Sequence, residues 1–501
     1  MYSRTPTKEK MEAIEVQTNE VIFTETSSKP SLLQNIKNIL RNITVEPIAL
    51  LSITPKLICS LALENLFLEK ACLVNLSLNE TICQAMVLRD RSGYAPEDEV
   101  AVQRVVSKML PYKSAGHIIQ IFFILMIGSW SDRTGRRRSM FIVPYISDII
   151  SILGYLLCVY FFLELSVEYP VLIEAMFSIS LGGIPLLMAG MYSYIAGITD
   201  TKSRTVRVGV VSMTLRTSMT LGIALSGFMF RYLGFYGVFL SALGMNLIGF
   251  VYIFVVVKSV QPNKKYIEEG ENVSCCRLLW NGIAESVMSS LEVCFKSGPN
   301  RRRTKMILLQ LVNILSFGIM TAEGSVLYLF SRKQFGWDEV DYSIFKSYKT
   351  FIEIMGCAFT LAFFSRYLRW NDVQIALLSC LSRFIGTFIM AFAKNGILLY
   401  IATLIDIFNG VIIISVRSMI TKTVDQNEQA LANSLTGLLD AFGSFLMGSL
   451  YAYVYYQTLA IFPGVFFLVS LFSYIPILLM LLMIKNIAFS VKNDGEVKNE
   501  D

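Results

Sequence analysis

Gly128-Ser-Trp-Ser-Asp132-Arg133-Thr-Gly135-Arg136-Arg137-Arg138 is the stretch on which the reading of this chain turns. An apolar run, residues 118–130, precedes it, and another, residues 140–162, follows. A helix at membrane depth must end here, turn within a few residues and re-enter. Gly135 suits the tight turn, because without a Cβ it takes φ > 0 at no steric cost. Lys and Arg concentrate in short cytoplasmic loops, so the three arginines predict a cytoplasmic turn. Asp132 can bridge to these arginines, or to a neighbouring helix N-terminus, and latch the cytoplasmic face shut. The plainer alternative is a basic loop that only sets topology.

The rest of the composition agrees with a membrane setting. Of 501 residues 54% are hydrophobic and only 16% charged, against about 25% charged in soluble domains. The apolar residues come in long blocks, which predicts a polytopic membrane protein. The net charge of +6 sits mostly in loops, so it reads as topology and not as nucleic-acid binding. Nine cysteines show no CxxC and no Cys/His ligand spacing, and there is a single histidine, so no metal, cofactor or His-based catalysis is expected. No GxSxG, Walker loop or dinucleotide fingerprint occurs, which argues against an enzyme or an ATP-driven pump.

Working outward, the first span is expected at 44–67. A loop, 68–108, comes next with two sequons, Asn75-Leu-Ser77 and Asn79-Glu-Thr81, as expected of a glycosylated extracellular segment. Cys72 and Cys83 flank the sequons and can pair in an oxidising compartment. Sequons at Asn42 and Asn272 fall on the cytoplasmic side and should stay bare. Spans two to six are expected at 112–130, 139–163, 171–198, 208–230 and 234–257, the fourth broken by Gly182-Gly183 and Pro185. Small residues in the fifth (Gly222, Ala224, Ser226, Gly227) predict close helix packing. A polar linker ends in Arg301-Arg302-Arg303. Spans seven to twelve are expected at 306–330, 342–364, 373–393, 397–420, 430–456 and 460–484, with Ser365-Arg-Tyr-Leu-Arg369 a degenerate echo of the arginine turn. The expected fold is an all-α membrane protein of twelve transmembrane helices in two six-helix lobes. Its parts are a cytoplasmic tail 1–43, a lobe 44–257, a cytoplasmic linker 258–305, a lobe 306–485 and a cytoplasmic tail 486–501. The substrate site belongs near mid-membrane between the lobes.

A charge at membrane depth costs a few kcal/mol on insertion scales, ~2.5–3.5 for Arg, Lys or Asp. The charges within the expected spans should therefore face a cavity or a partner. They are Glu46, Lys56, Glu64, His117, Asp148, Glu174, Arg216, Glu323, Glu353, Arg383, Asp406, Arg417 and Asp440. For Glu46, Glu64 and Arg383 the span boundaries leave an interfacial place as the alternative. Arg417 and Asp406 are 11 residues apart, about three turns, so they should not pair. Arg417 alternatively snorkels to the interface. Arg216 needs an acidic partner, with Glu174 and Asp148 the candidates. Asp440 and Glu323 are the leading second-half carboxylates for carrying a proton between faces. For each of these residues a buried structural pair is the competing reading. His117 can titrate near neutrality, though a lone histidine there is more often a packing residue.

The opening pattern, G-x-x-x-D-R-x-G-R-R, resembles the loop between helices two and three of the major facilitator superfamily. Finer matches are Ile43-Thr44-Val45-Glu46-Pro47, the sequon-bearing loop with Cys83, Ser203-Arg-Thr-Val-Arg207 and Val416-Arg417-Ser-Met-Ile-Thr-Lys422. Together they resemble solute carrier family 46, the group of the proton-coupled folate transporter and the thymic stromal cotransporter, over essentially all twelve spans. The resemblance implies a functional role for Arg417 and a gating role for Asp132, Arg133, Gly135, Arg136 and Arg137. It also exposes departures. The folate transporter's titratable positions in helices four, five and seven fall near Gly183, at Ser212 and near Phe317 or Gly318. None of these can titrate, which argues against folate and against coupling through those positions. Cys83 matches that transporter's first-loop cysteine, its partner position near Gly336 holds no cysteine, and Cys72 is the substitute partner.

The leading expectation is therefore a secondary active transporter of a small organic anion, folate-like, steroid-conjugate or muropeptide-like, coupled to protons and working by alternating access. Its substrate and proton path is expected along Arg417, Arg216, Glu174, Glu323, Asp440 and His117. The alternatives are an uncoupled facilitator and a non-transporting receptor or scaffold on the same fold. Partners are the substrate anion, protons and the lipid bilayer. The tails show no clear acidic dileucine signal, which favours the plasma membrane over the lysosomal membrane.

Overall fold

The computed structural model describes residues 44–134, 137–198, 201–257, 287–425 and 428–497. The chain divides after Thr44, and the helical body is the unit that begins at Val45. Among the described residues every regular element is helical. In the first half the α-helices are α1 (Glu46–Lys70), α2 (Glu80–Leu88), α3 (Pro96–Thr134), α4 (Ser139–Tyr160), α5 (Glu168–Ile173), α6 (Gly183–Ile198) and α7 (Thr201–Val256). In the second they are α8 (Arg302–Phe335), α9 (Glu339–Phe359), α10 (Asp372–Ala391), α11 (Gly396–Ile405), α12 (Val411–Thr423), α13 (Gln429–Thr458) and α14 (Val465–Val497).

Among the described residues eight stretches are long and apolar enough to cross a membrane: Pro96–Gly128, Ser139–Tyr160, Glu168–Ile195, Arg207–Val256, Arg302–Phe335, Asp372–Ala391, Leu431–Thr458 and Val465–Ile487. α1, with 25 residues, rises about 37 Å and carries Lys56 near its middle. The 56-residue α7 holds two expected spans, and the chain folds back between them at Gly234 (φ 62°, ψ −167°). That left-handed φ is open to glycine at little cost.

Three boundaries differ from the sequence reading. The expected loop 68–108 is largely helical: α2 occupies part of it, and α3 begins at Pro96. Pro96 followed by Glu97, Asp98 and Glu99 is a helix start, since proline tolerates the first turn and acids suit the positive end of the dipole. The expected outer loop 331–341 shrinks, because α8 runs on to Phe335 and Asp338 caps α9, accepting from Val340 N and Asp341 N at 2.8 Å. The expected tenth span breaks into α11 and α12 around Asp406 and Asn409.

Within the halves α1 lies along α7, and α8 lies along α13. The halves meet along α3–α13 and α7–α9. Gly227 permits the second contact: a Cβ there would strike the Glu339 carbonyl. One end of the bundle carries the turn of Arg137 and Arg138, the basic end. The opposite end carries the disulfide between Cys72 and Cys83. At this disulfide end the halves are joined by hydrogen bonds. Tyr328 Oη donates to Asn65 Oδ1 at 2.7 Å, and Arg332 donates to the same oxygen at 2.9 Å and to Met86 O at 3.0 Å. Tyr455 Oη donates to Gln103 Oε1 at 2.8 Å, and Arg231 bridges Asp338 and Glu339.

Candidate functional site

The break after α11 lets α12 start afresh and present Arg417 to α8 and α13. The Arg417 guanidinium donates to Asp440 of α13 at 2.5 Å and lies 5.7 Å from the Phe317 ring centroid. Asn313 Nδ2 donates to the other Asp440 oxygen at 2.6 Å. The pair is lopsided: the Arg417 side chain is 44% exposed and that of Asp440 only 12%. An arginine bound through one nitrogen keeps several N–H donors for an incoming acid, in a planar fork that fits a carboxylate or sulfate.

Further from the basic end lies a fully buried triad. Arg383 of α10, 1% exposed, holds Glu323 of α8 and Asp406 at the end of α11. Ser470 donates to Glu323, and Tyr474 lies under the guanidinium at 5.8 Å. Arg383 is thus not interfacial. The expected proton carrier Glu323 is committed to a lock that joins α8, α10, α11 and α14.

The first half corrects the expectation for Arg216. Asp148 pairs with Lys56 at 2.7 Å, and Lys56 also donates to Ser178 O at 3.0 Å. Glu174 pairs with Lys113 at 2.8 Å. Neither candidate acid meets Arg216, which is exposed and lies within electrostatic reach of Cys357 on α9. Glu46, at the start of α1, pairs with Arg207 at 2.9 Å.

Where α3 faces α8 and α13, a cavity of about 50 Å³ is lined by Lys113, Ser114, His117, Thr321, Ser325 and Ser444, among others. His117 Nδ1 contacts Gln120 Oε1 at 2.9 Å, and Gln120 donates to Gly182 O at 3.1 Å. At this broken turn (Gly182 φ 100°) the same carbonyl also accepts from Leu186 N at 3.1 Å, so Gln120 supplies its second hydrogen bond. His117 therefore lines the cavity while held by a packing bond.

Of the expected gate, Gly135, Arg136 and the side chains of Asp132 and Arg133 lie outside the described residues. Arg137 donates to Ser193 O and Arg138 to Val257 O, so the turn is stapled to α6 and to the end of α7. At the other end Asn75 donates to Glu168 at 3.1 Å and accepts from Val167 N at 3.1 Å, while Asn79 is exposed and caps α2. Asn42 and Asn272 lie outside the described residues.

Three cations escape a reading of the sequence alone. Lys113 stands at the edge of an expected span. Lys346 and Lys349 share one face of α9 with Glu353, at spacings of three and four, and that stripe is the available signal.

A family model described as Major Facilitator Superfamily matches residues 114–448. Among relatives, the lysosomal proton-coupled steroid conjugate and bile acid symporter SLC46A3 of Gallus gallus is 22% identical, over 76% of this chain and 82% of that protein. Its Homo sapiens counterpart is 24% identical, over 74% and 78%. The probable peptidoglycan muropeptide transporter SLC46 of Drosophila melanogaster is 22% identical, over 86% and 83%. Among solved structures, the human organic anion transporter MFSD10 (TETRAN) superposes with a TM-score of 0.57 at 14% identity, covering 87% of this chain and 98% of that one. A D-xylose-proton symporter gives 0.55 at 14% identity, over 88% and 97%. The chain is a multi-pass membrane transporter of the Major Facilitator Superfamily, similar within it to solute carrier family 46.

Proposed function

We propose that the chain moves a small organic anion across its membrane by alternating access, in symport with protons. The observation that carries this reading is the lopsided Arg417–Asp440 pair, a buried carboxylate holding an open guanidinium. An anion that engages Arg417 competes with Asp440. Asp440, relieved of its cation in a poorly solvated place, then takes a proton, and anion and proton travel together. Return of the empty carrier restores the pair. The basic end is cytoplasmic, on the positive-inside rule, and Asp132 with its arginines latches that face between cycles.

The substrate is an amphipathic anion of the class that the relatives' names specify, steroid conjugates and bile acids before muropeptides. Folate is disfavoured by Ser212 and Gly183. The lysosomal naming of the relatives favours the lysosomal membrane over the plasma membrane. An uncoupled facilitator is the second reading, favoured by those same non-titratable positions. The test is uptake of tritiated estrone sulfate, taurocholate, folate and a muropeptide into proteoliposomes, with and without an imposed pH gradient. Uptake driven by the gradient supports symport. Uptake indifferent to it leaves the facilitator, and no uptake at all leaves a receptor or scaffold.

A further inference from the structure

α9 carries two lysines that the Arg417 site does not use. Lys346, Lys349 and Glu353 fall three and four residues apart, on one face of the helix. α9 packs against α7 of the other half, so this stripe stands beside the seam between the halves. Its surroundings are charged on several elements. Lys346 lies within electrostatic reach of Glu64 on α1 and of Glu323 on α8, and Lys349 within reach of Asp406. Glu64 is in turn within reach of Lys113 on α3, a cavity-lining residue.

Bonding sets these two lysines apart. Lys56, Lys113 and Arg383 each meet a carboxylate directly. Lys70 is capped by the Phe162 and Leu165 carbonyls at 2.7 Å. Lys349 is only 9% exposed and Lys346 is half-buried, yet the ammonium group of neither makes a hydrogen bond or ion pair with any described residue. Glu64 mirrors them, its Oε2 buried without a hydrogen-bond partner among the described residues. Glu353 is engaged by Asn409 at 3.3 Å. Two neighbouring lysine side chains thus share one helix face with no bonded counter-ion among the described residues, and an anion arriving from solvent would supply that charge.

We infer that Lys346 and Lys349 form an anion subsite for the acid head of the transported molecule, with Glu64 as the acid that stands opposite when the subsite is empty. The inference rests on the transporter reading and adds the place where the charged end docks. Along α8, Phe317 under Arg417 and Glu323 beside the lysines are separated by six residues, about 9 Å of helix. The subsite is therefore distinct from Arg417 and lies deeper from the basic end. Lysines are point charges on flexible stems, without the planar fork of arginine. The pair suits a singly charged oxyanion, whether a tetrahedral sulfate or sulfonate or a planar carboxylate.

The experiment uses the full-length protein, purified for binding and reconstituted for uptake, with tritiated estrone sulfate as the probe and taurocholate as competitor. Lys346→Gln and Lys349→Gln should each raise Kd and KM about tenfold, as loss of one good charged contact does, with the maximal rate within about twofold. Lys346→Arg and Lys349→Arg, which keep the charge, should stay near wild type. Glu64→Gln, which removes the competing acid, should lower KM. It decides the question even if the neutral lysine variants fail to fold, since an unchanged or raised KM there overturns the subsite. Uptake with the same KM in both lysine-to-glutamine variants as in wild type also overturns it and leaves the transporter reading intact. Lysine-dependent binding without uptake sinks the transporter reading and leaves the subsite standing. A wild-type protein that neither binds nor transports the probe overturns both.

Discussion

Arg383→Met is the substitution whose outcome the structure constrains most tightly. Methionine keeps much of the length and apolar contact over Tyr474, and removes the charge that Glu323 and Asp406 share. All three side chains are buried, at 1%, 3% and 1% exposure, so water cannot take over the lost role. Removing one partner of a buried ion pair costs about 3–5 kcal/mol. An escape exists, because an orphaned carboxylate can take a proton. From an ordinary value near 4 that costs about 4.6 kcal/mol at pH 7.4, at 1.36 kcal/mol per unit. The escape therefore does not undercut the expected loss. With about 1 °C lost per kcal/mol for a chain of this size, the melting temperature in detergent should fall by about 3–5 °C. The triple variant Arg383→Met, Glu323→Gln, Asp406→Asn should recover most of the loss, since it buries no bare charge. Acidification from pH 7.4 to 5 should stabilise Arg383→Met relative to wild type. Thermal unfolding followed by size-exclusion fluorescence measures all three proteins. An Arg383→Met protein melting within about 1 °C of wild type, or a triple variant worse than the single one, would refute the triad as a lock.

Arg417→Ala should abolish uptake of estrone sulfate, and Arg417→Lys should keep part of it with a raised KM, because lysine retains charge without the fork. Asp440→Asn should flatten the pH dependence of uptake yet spare substrate exchange, and a variant still driven by the gradient would remove Asp440 from the proton path. Asn79, exposed at the α2 cap, should carry a glycan, so Asn79→Gln should sharpen the gel band as glycosidase does, while Asn75→Gln should chiefly loosen the Glu168 contact. Hydrogen bonds from Lys296 and Arg302 hold the Glu428 carboxyl below its ordinary value. A lowered folded value means the contact contributes in full above the unfolded value, about 4.3, and is lost as pH falls through the folded one. Exchange protection of residues 287–295, corrected for intrinsic rate, should hold from pH 7 to about 5 and drop below about 4. Loss already at pH 6 would exclude Glu428 as the clamp.

Most of the charged residues of the site, though not Lys113, Lys346 and Lys349, were legible in the sequence, because an ion inside an apolar block stands out whatever its partner. Partnership was not legible. Arg417 finds Asp440 23 residues away, and Lys56 finds Asp148 across 92, distances that only the bundle closes. Arg383 reads as interfacial only while the bounds of its span are uncertain, and Asp406 sits where the chain leaves α11. The break at Asp406 and Asn409 is masked by the apolar residues around it, which suit a continuous helix. The outward extension of α3 is masked by the opposite cause, since Glu97, Asp98 and Glu99 read as loop polarity before they read as a helix start. Lys346 and Lys349 lie in the plainest stripe of all, their spacing with Glu353 visible in the chain, yet nothing in that spacing tells that they are buried.

The disulfide end has a consequence for how the two halves part. Cys72–Cys83 fastens α2 to the end of α1, so the Met86 carbonyl and the Asn65 side chain move with the first half as one body. Arg332, on the second half, holds both. A rocking motion that opens this end strips the guanidinium of two acceptors in a single stroke, and the acceptors cannot follow it one at a time. Such an opening would be a snap between two positions, and without the disulfide, with α2 free to trail after Arg332, it would become a slide.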